Sequence, residues 1–267
     1  MRRREATEEG EETTDNKEVL LTDRNWEKLV DLVQMAFREG RLAEEAMWQA
    51  VVLIPKGEKD YCRIGLVEVM WKVVLAILKR RLTASITYQN LLHEFWAGRS
   101  TSTSTLEAKL LQQLAALREE VLYVIFLDLH KAYDALDRSR YIEILGGYGL
   151  GPRSCRLVRT CWQRLSMVVR AGGYYWEAFK GYRGVTQGDP LSPTMFNVVV
   201  DAVVRHCGTM AMAEAEKQGE RGNKGRHQAS LFYADDGMVA SSDPRWIQWA
   251  FDTLVSLFER VGLQTNV

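Results

Sequence analysis

The sequence predicts a chain of the α/β (α+β) class, in which an antiparallel sheet is backed by helices. Leucine recurs at helical spacing through residues 106–120, which predicts an amphipathic helix. Residues 121–129 are rich in β-branched and aromatic side chains and are apolar on both faces, as is typical of a buried central strand. Apolar runs at 51–54 and 61–66, and two arms around Asp235-Asp236-Gly237, indicate hairpins.

The other elements follow from the same kinds of signal. Caps at residues 22–23 and Gly40 bound a helix of about 15 residues. Another hairpin is centred on Gly172-Gly173. Residues 214–228 are polar and rich in glycine and charge, which predicts a mobile loop. A polar break is expected at 100–105, and the remaining helices are expected at 66–82, 138–148, 152–165, 192–206 and 247–261.

The composition is that of an ordinary globular protein, with 267 residues, 46% hydrophobic and 26% charged. Its 35 basic and 35 acidic side chains balance, which argues against a wholly basic nucleic-acid binder. The charge is uneven, however, because residues 137–183 hold nine Lys and Arg against three acids. Such a segment suits a phosphate backbone, and Arg153, Arg156 and Arg159 are its candidate contacts. A solvated helix face is the alternative.

The ends of the chain and its cysteines bear on location. Residues 1–20 carry three arginines and then many acids without an apolar stretch, which predicts a disordered charged tail and no secretion signal. No apolar run approaches the ~18 residues of a membrane span. The four Cys and four His lack the spacing of a zinc site or a disulfide framework. We expect an intracellular protein, nuclear or cytoplasmic, without a membrane partner; its oligomeric state stays open.

Three carboxylates stand in apolar surroundings. Asp128 lies near the end of the strand at 121–129, and Asp235 and Asp236 lie between apolar arms. Burying an ionised carboxylate costs several kcal/mol unless it has a partner, and adjacent like charges repel. Asp128 capping the next helix and Asp236 forming a turn are the alternatives. If the two strands are neighbours, the carboxylates meet at one sheet edge and suit Mg²⁺ ions that assist phosphoryl transfer.

Three motifs in order closely resemble those of the reverse transcriptases. They read VIFLDLHKAYD at 124–134, RGVTQGDPLSP at 183–193 and FYADD at 232–236. Among these enzymes the chain looks most like those of non-LTR (LINE-like) retrotransposons, with group II intron enzymes as neighbours. The resemblance runs from near Val51 to Val267. It implies a right-hand polymerase fold with fingers at 21–120 and a partial palm at 121–267, without the thumb.

The resemblance implies RNA-directed DNA polymerisation, in which a DNA primer 3′-OH attacks the α-phosphate of a deoxynucleoside triphosphate on an RNA template. Asp128 and Asp235 match metal ligands for two Mg²⁺ or Mn²⁺ ions, with Asp236 beside them and the carbonyl of Leu129 near the second ion. Gly262-Leu263 and Asn266 resemble the start of the next palm motif.

The resemblance also implies a nucleotide-binding set. Tyr133 matches the steric gate that excludes a ribose 2′-OH; an ordinary core aromatic is the alternative. Gln187 and Gly188 match the loop that lines the nascent base pair. Lys56 matches a fingers lysine near the triphosphate, with a solvated lysine as the alternative, and Arg63 is the candidate arginine of the same region.

Two departures qualify the expected activity. Relatives commonly place the arginine directly after the aromatic residue of the fingers strand, where this chain has Tyr61-Cys62-Arg63. Because side chains alternate along a strand, the shift would point Arg63 away from the phosphates. With no primer grip or thumb after Val267, we expect little processive synthesis from these residues alone. The rival functions are an inactive retroelement remnant that binds nucleic acid and an RNA-directed RNA polymerase, which Tyr133 disfavours.

Overall fold

A computed structural model describes residues 3–4, 23–56, 61–86, 100–171, 173–217 and 228–266. The chain divides into two compact units. The first unit comprises Met1–Ser85 with Gly149–Ser192, and the second comprises Ile86–Tyr148 with Pro193–Val267. Each unit therefore draws on two separate parts of the chain. The predicted fingers at 21–120 and palm at 121–267 have a different boundary, and that functional division stays a prediction.

The described residues form nine strands and eight α-helices, with a short 3₁₀ helix at Glu44–Ala46. The strands are β1 (Arg3–Arg4), β2 (Trp48–Pro55), β3 (Tyr61–Val67), β4 (Tyr123–His130), β5 (Ser166–Ala171), β6 (Tyr174–Trp176), β7 (Gln228–Tyr233), β8 (Asp236–Ser241) and β9 (Gln264–Asn266). The helices are α1 (Asp23–Glu39), α2 (Val69–Ser85), α3 (Thr101–Leu117), α4 (Ala132–Ala135), α5 (Arg138–Gly147), α6 (Pro152–Arg164), α7 (Ser192–Lys217) and α8 (Pro244–Arg260).

The first unit is built on a five-stranded sheet with the order β1-β6-β5-β2-β3. The hairpins predicted from the sequence are present, because β2 pairs with β3 and β5 pairs with β6, both antiparallel. Strands β2 and β5 pair in parallel, a long-range pairing that no local signal indicates. Helix α1 packs against α2 and α6. The buried side chains of these helices include Trp71, Leu78 and Leu157.

The second unit contains a four-stranded antiparallel sheet with the order β7-β8-β4-β9. Helix α8 packs against β8, β4 and β9, and α3 packs against β7. The predicted antiparallel sheet backed by helices is therefore confirmed. Its central strand is covered on one face only, since Leu127 and Leu129 are buried whereas Phe126 is 77% exposed. The expectation that residues 121–129 are buried on both faces is wrong.

Two helix boundaries differ from the prediction by more than three residues. Helix α3 begins at Thr101, inside the predicted polar break, because it has a capping box: the Ser100 side chain accepts from the Thr103 N–H, and Thr103 Oγ1 accepts from the Ser100 N–H. Helix α7 continues to Lys217, past the predicted end near residue 206 and into the predicted loop at 214–228. Its last residues are mostly Ala, Met, Glu and Lys, which have high helix propensity. This propensity outweighs the polar character that predicts a loop from residue 214. Residues 218–227 of that loop lie outside the described residues.

The predicted disordered tail is described only at Arg3 and Arg4, whose backbone forms β1 and pairs with Trp176 and Tyr175 of β6. The other residues of the tail lie outside the described ranges. Within those ranges, no helix combines the length and the apolar character that crossing a membrane requires.

The cap of α3 gives a stability prediction. Ser100→Ala removes the side-chain oxygen that accepts the Thr103 N–H, so we expect a loss of about 0.5–2 kcal/mol in the free energy of unfolding, measured by urea titration. Ser100→Asp is the matched control, because its carboxylate keeps an acceptor at the same place. An equal loss in both variants would contradict the assignment of the cap.

Candidate active site

The register of β4 with β8 places two carboxylates face to face. Asp128 lies directly opposite Asp236 in the antiparallel ladder. Opposite residues in such a ladder have Cβ atoms about 4.5–5.5 Å apart, so like charges at these positions destabilise the sheet. The pair stands at the end of the ladder, next to the turn between β7 and β8.

The third carboxylate, Asp235, lies in that turn, which consists of Ala234 and Asp235. Ala234 has a φ of 52°, in the left-handed region that residues other than glycine rarely adopt. The backbone N–H of Leu129 donates a hydrogen bond of 3.1 Å to the carbonyl oxygen of Asp235, which ties the turn to β4. Strain of this kind persists where the surrounding structure holds it and concentrates at functional sites.

The carboxylates are accessible rather than buried. Asp128 and Asp236 are exposed and Asp235 is half-buried. The sequence-based argument that the three acids are buried is therefore wrong, because the exposed face of the sheet leaves them in contact with solvent. Partial burial still raises the pKa of the Asp236 carboxyl, and the negative charges of Asp235 and Asp128 raise this pKa further. The three groups thus interact electrostatically.

Asp128 has a hydrogen-bond partner on the other neighbouring strand. Asn266 of β9 lies opposite Asp128, and its side-chain Nδ2 donates to Asp128 Oδ2 at 2.7 Å. The alternative that Asp128 caps the following helix does not hold, because the N-cap residue of α4 is Lys131. The sequence places Asn266 in a palm motif, but only the pairing of β4 with β9 shows that it orients Asp128.

The donor set suits a hard divalent cation. Among the residues that the structure describes, no three His, Cys, Asp or Glu side chains are already closed around a metal position. Mg²⁺ does not need such a cage, since it keeps several waters and binds through one or two carboxylates together with substrate phosphates. Accessible carboxylate oxygens of Asp128, Asp235 and Asp236, with the backbone of Leu129 beside them, fit that mode of binding.

Tyr133 lies in the same unit as the carboxylates, on the short helix α4. Its half-buried ring stacks on the ring of Phe196, with centroids 5.0 Å apart and planes inclined by 20°. Phe196 is fully buried on α7 and provides a rigid support. The sequence motifs assign no role to Phe196; the one available signal is that an aromatic residue stands four positions after Ser192, the cap of a predicted helix.

The loop carrying Gln187 and Gly188 belongs to the first unit and lies against β3. The N–H of Gly65 donates a 2.6 Å hydrogen bond to the carbonyl oxygen of Gln187. Gly188 has a φ of 110°, and a Cβ added to it would lie 2.6 Å from the carbonyl oxygen of Gly65. Only glycine allows the two backbones to approach this closely.

Residues on β2 and β3 complete the part of the predicted nucleotide-binding set that lies in the first unit. Cys62 Sγ donates to Gln187 Oε1 at 3.5 Å, so position 62 faces the glutamine loop. Arg63, the next residue along β3, projects from the opposite face of the strand and is exposed. Lys56 is exposed directly after β2. The orientation of Arg63 agrees with the expectation that shifting the arginine by one position turns it to the other face of the strand.

A carboxylate for which the sequence predicts no role, Asp189, anchors the start of α7. Asp189 is buried, and its Oδ1 accepts hydrogen bonds from the N–H groups of Leu191 and Ser192 at 2.8 and 2.7 Å. Its Oδ2 accepts from the Ser192 hydroxyl. Burial raises the pKa of Asp189, and the three hydrogen bonds oppose that rise. The group therefore organises the loop next to Gly188.

The structure brings together some of the predicted residues and leaves others in separate units. Asp128, Leu129, Tyr133, Asp235 and Asp236 lie in the second unit. The first unit holds Lys56, Arg63, Gln187 and Gly188, together with Arg153, Arg156 and Arg159, which are exposed on α6.

The folds of known structures define the class of this protein. The structure of telomerase from Candida tropicalis in complex with a fragment of telomeric RNA matches 92% of this chain and 44% of the telomerase chain, with a TM-score of 0.60 and 15% identity. Apo telomerase from the same yeast gives a TM-score of 0.57 over 92% of this chain. The chain thus has a right-hand polymerase fold.

Residues 54–267 match the family described as reverse transcriptase (RNA-dependent DNA polymerase), and the chain belongs to this family. A curated relative is the Pol polyprotein of the type-2 retrotransposable element R2DM of Drosophila melanogaster, 26% identical over 85% of this chain. Another, from the R2 element of Nasonia vitripennis, is 30% identical over 62% of the chain. The chain spans 21% and 15% of the length of these relatives. Both are proteins of non-LTR retrotransposons, as the resemblance implied.

The contact between Gly188 and Gly65 gives a prediction about the loop. Gly188→Ala must displace the backbone of β3 or the loop, because the new Cβ would meet the Gly65 oxygen, so we expect a loss of about 2–4 kcal/mol in unfolding free energy. Gly173→Ala is the control: its φ of 78° is also left-handed, but a Cβ there meets nothing within 4 Å, so its cost is about 1–2 kcal/mol. Equal losses in chemical denaturation would show that the close approach contributes nothing.

Proposed function

We propose that this chain carries the catalytic centre of an RNA-directed DNA polymerase that extends a DNA primer on an RNA template. The observation that carries the proposal is the placement of Asp128 opposite Asp236, with Asp235 in the adjoining turn. The primer 3′-oxygen attacks the α-phosphorus of a deoxynucleoside triphosphate, the bond to the β-phosphate oxygen breaks, pyrophosphate leaves and the hydroxyl proton passes to solvent.

The three aspartates would hold two Mg²⁺ or Mn²⁺ ions, with the Leu129 carbonyl near the second. When bound, such ions activate the attacking oxygen and stabilise the leaving one. The chain's own contribution is to position the donors. Asn266 orients the Asp128 carboxylate through its 2.7 Å hydrogen bond, and the bond from Leu129 N–H to the Asp235 carbonyl holds the turn.

The other residues would select and bind the substrates. Tyr133, supported by Phe196, would exclude the 2′-OH of a ribonucleotide, because a held ring cannot move aside. Lys56 would bind the triphosphate, and Gln187 and Gly188 the nascent base pair. Arg63, which projects from the other face of β3 than Cys62, would contribute less to triphosphate binding than an arginine at position 62. Arg153, Arg156 and Arg159 would contact phosphates of the template or primer.

An intracellular site of action, nuclear or cytoplasmic, is part of the proposal. The four cysteines, which all lie among the described residues, are free thiols, as suits a reducing compartment.

One observation favours the rival function of an inactive remnant that binds nucleic acid. Position 62, which faces Gln187, is a neutral cysteine, whereas the adjacent arginine projects from the other face of β3. A remnant would bind nucleic acid but would not extend a primer with any divalent metal.

The metal-binding role of the aspartates has a direct test. Asp235→Asn keeps the shape of the side chain but removes its charge, so we expect primer extension with Mg²⁺ on an RNA template to be abolished while the melting temperature stays unchanged. Asp252→Asn is the matched control, because Asp252 is exposed on α8 and bonds only to Gln248 among the described residues. Absence of divalent-ion binding by the unaltered chain in calorimetry, with template-primer and nucleotide present, would reject the metal site.

Sugar selectivity tests the role of Tyr133. Tyr133→Val removes the ring, so the ratio of ribonucleotide to deoxynucleotide incorporation should rise roughly tenfold or more in single-nucleotide extension. Phe196→Leu, which removes only the stacked support, should give a smaller rise of the same sign. Tyr123→Val, at an exposed aromatic on the same strand as Asp128, is the control. A ratio that does not respond to Tyr133→Val would assign this ring to ordinary packing.

A further inference from the structure

The first unit contains a cleft of about 470 Å³ between α1, α2 and α6. Its volume lies in the range of roughly 300–1,000 Å³ that is typical of ligand sites. Each of the three helices contributes one arginine to its lining: Arg38 from α1, Arg81 from α2 and Arg153 from α6. These residues are up to 115 positions apart in the sequence (153 minus 38), so only the fold brings them together.

The lining of the cleft is basic, since three of its residues are arginines. No Asp or Glu occurs among the described residues that line it. Among the described residues, Arg38 and Arg153 form no ion pair, and the carboxylate beside Arg38 in the sequence, Glu39, pairs instead with Arg41 at 3.1 Å. Guanidinium groups that face one cavity repel each other unless an anion lies between them. Arginine's planar fork is well suited to phosphate, which it binds through two parallel hydrogen bonds.

The cleft also offers a flat stacking surface. The guanidinium carbon of Arg81 lies 4.2 Å from the centroid of the Phe37 ring, which lines the same cleft. A guanidinium held on an aromatic ring presents its other face to a planar ligand, and nucleobases stack on such faces. Gln34 and Ser154 add polar side chains to the lining. Phosphate-binding and base-stacking groups thus occur in one cavity.

Positive charge continues outside the cleft along two of its helices. Helix α6 carries four arginines and no acid, and Arg156 and Arg159 on it are exposed. Helix α2 carries Lys72, Lys79 and Arg80 in addition to Arg81, again without an acid. A mononucleotide would use only the cleft, whereas a polyanion would also contact the basic side chains next to it, such as Arg80 on α2 and Arg156 on α6. The pattern therefore favours a strand of nucleic acid over a small molecule.

We propose that the cleft lined by Arg38, Arg81 and Arg153 binds single-stranded nucleic acid, with one phosphate between the arginines and one base against Arg81. The strand continues along the basic faces of α2 and α6. The chemistry recognised is a phosphodiester with an unpaired base, which both RNA and DNA strands supply. The inference adds a strand-binding site to the proposed polymerase, and all of its residues lie in the first unit whereas the carboxylates lie in the second.

Binding of a fluorescent uridine oligonucleotide of about 12 residues tests the proposal. The assay is anisotropy of the whole chain with EDTA and without primer, over a range of salt concentrations. Replacing Arg38, Arg81 and Arg153 together by Gln should weaken binding at least about tenfold near 0.15 M salt and flatten the slope of log K against log salt by about 2 units. A matched oligodeoxynucleotide distinguishes the sources, since equal affinity identifies the phosphodiester alone and tighter RNA binding adds a 2′-OH contact.

Arg118, Arg245 and Arg260 provide the matched control, because they are exposed and their triple replacement by Gln removes the same charge from the second unit. Affinity and slope should stay near those of the unaltered chain. An equal fall in both triple variants, or none in the cleft variant, would overturn the proposal.

A measurement on the unaltered chain guards against misfolding of the variant. Oligonucleotides with 4-thiouridine should photocrosslink to peptides that contain Phe37, Arg81 or Arg153, and crosslinks confined to other peptides would refute the site. Asp235→Asn should bind the oligonucleotide normally. Loss of primer extension with cleft binding intact would therefore count against the polymerase alone, and loss of cleft binding with extension intact would count against this inference alone.

Discussion

The pairing of β4 with β8 is the interaction on which the proposed active site depends. Because side chains alternate along a strand, a slip of one residue would move Asp128 to the covered face of the sheet. The register of β4 is held on both sides, because Asp236 of β8 and Asn266 of β9 both lie opposite Asp128. On the other side of β8, Gly237 allows close packing against β7, since a Cβ there would lie 2.5 Å from the buried ring of Phe232.

This arrangement costs stability. Asp128 opposes a like charge, Ala234 has a positive φ, and the exposed face of the sheet keeps Phe126 in solvent. Departures from the rules of stable folding concentrate where a protein binds or reacts, and a cation between the carboxylates would remove the repulsion. The local cost and the proposed chemistry therefore have one explanation.

In the first unit, glycines allow two backbone segments to approach closely, and arginines cluster around one cleft. Gly65 and Gly188 allow the glutamine loop to lie directly against β3, where Cys62 contacts Gln187. Elsewhere in the unit, arginines from three helices line one cleft. A net charge of zero for the whole chain conceals both the basic helices of this unit and the acidic group in the other. Charge averaged over a sequence thus says little about the partners of its separate units.

The sequence by itself determined the class of the fold, the hairpins and the family. These features depend on local patterns: the extended arms on either side of Gly172-Gly173 and of Asp235-Asp236-Gly237, the apolar run that becomes β4, and three motifs read in order. Helix ends were less well determined, because the capping box at Ser100 and the helix-forming residues before Lys217 outweighed the polarity that suggested loops.

Only the tertiary structure decided the surroundings of the site. Three features depend on which distant segments pack together: the carboxylates are accessible to solvent, Asn266 bonds to Asp128, and Phe196 supports Tyr133. The same holds for the three arginines of the cleft. A sequence pattern reports the preferences of neighbouring residues. The contacts of Tyr133 with Phe196 and of Asp128 with Asn266 join residues 63 and 138 positions apart (196 minus 133 and 266 minus 128), and their meeting depends on strand register and helix packing.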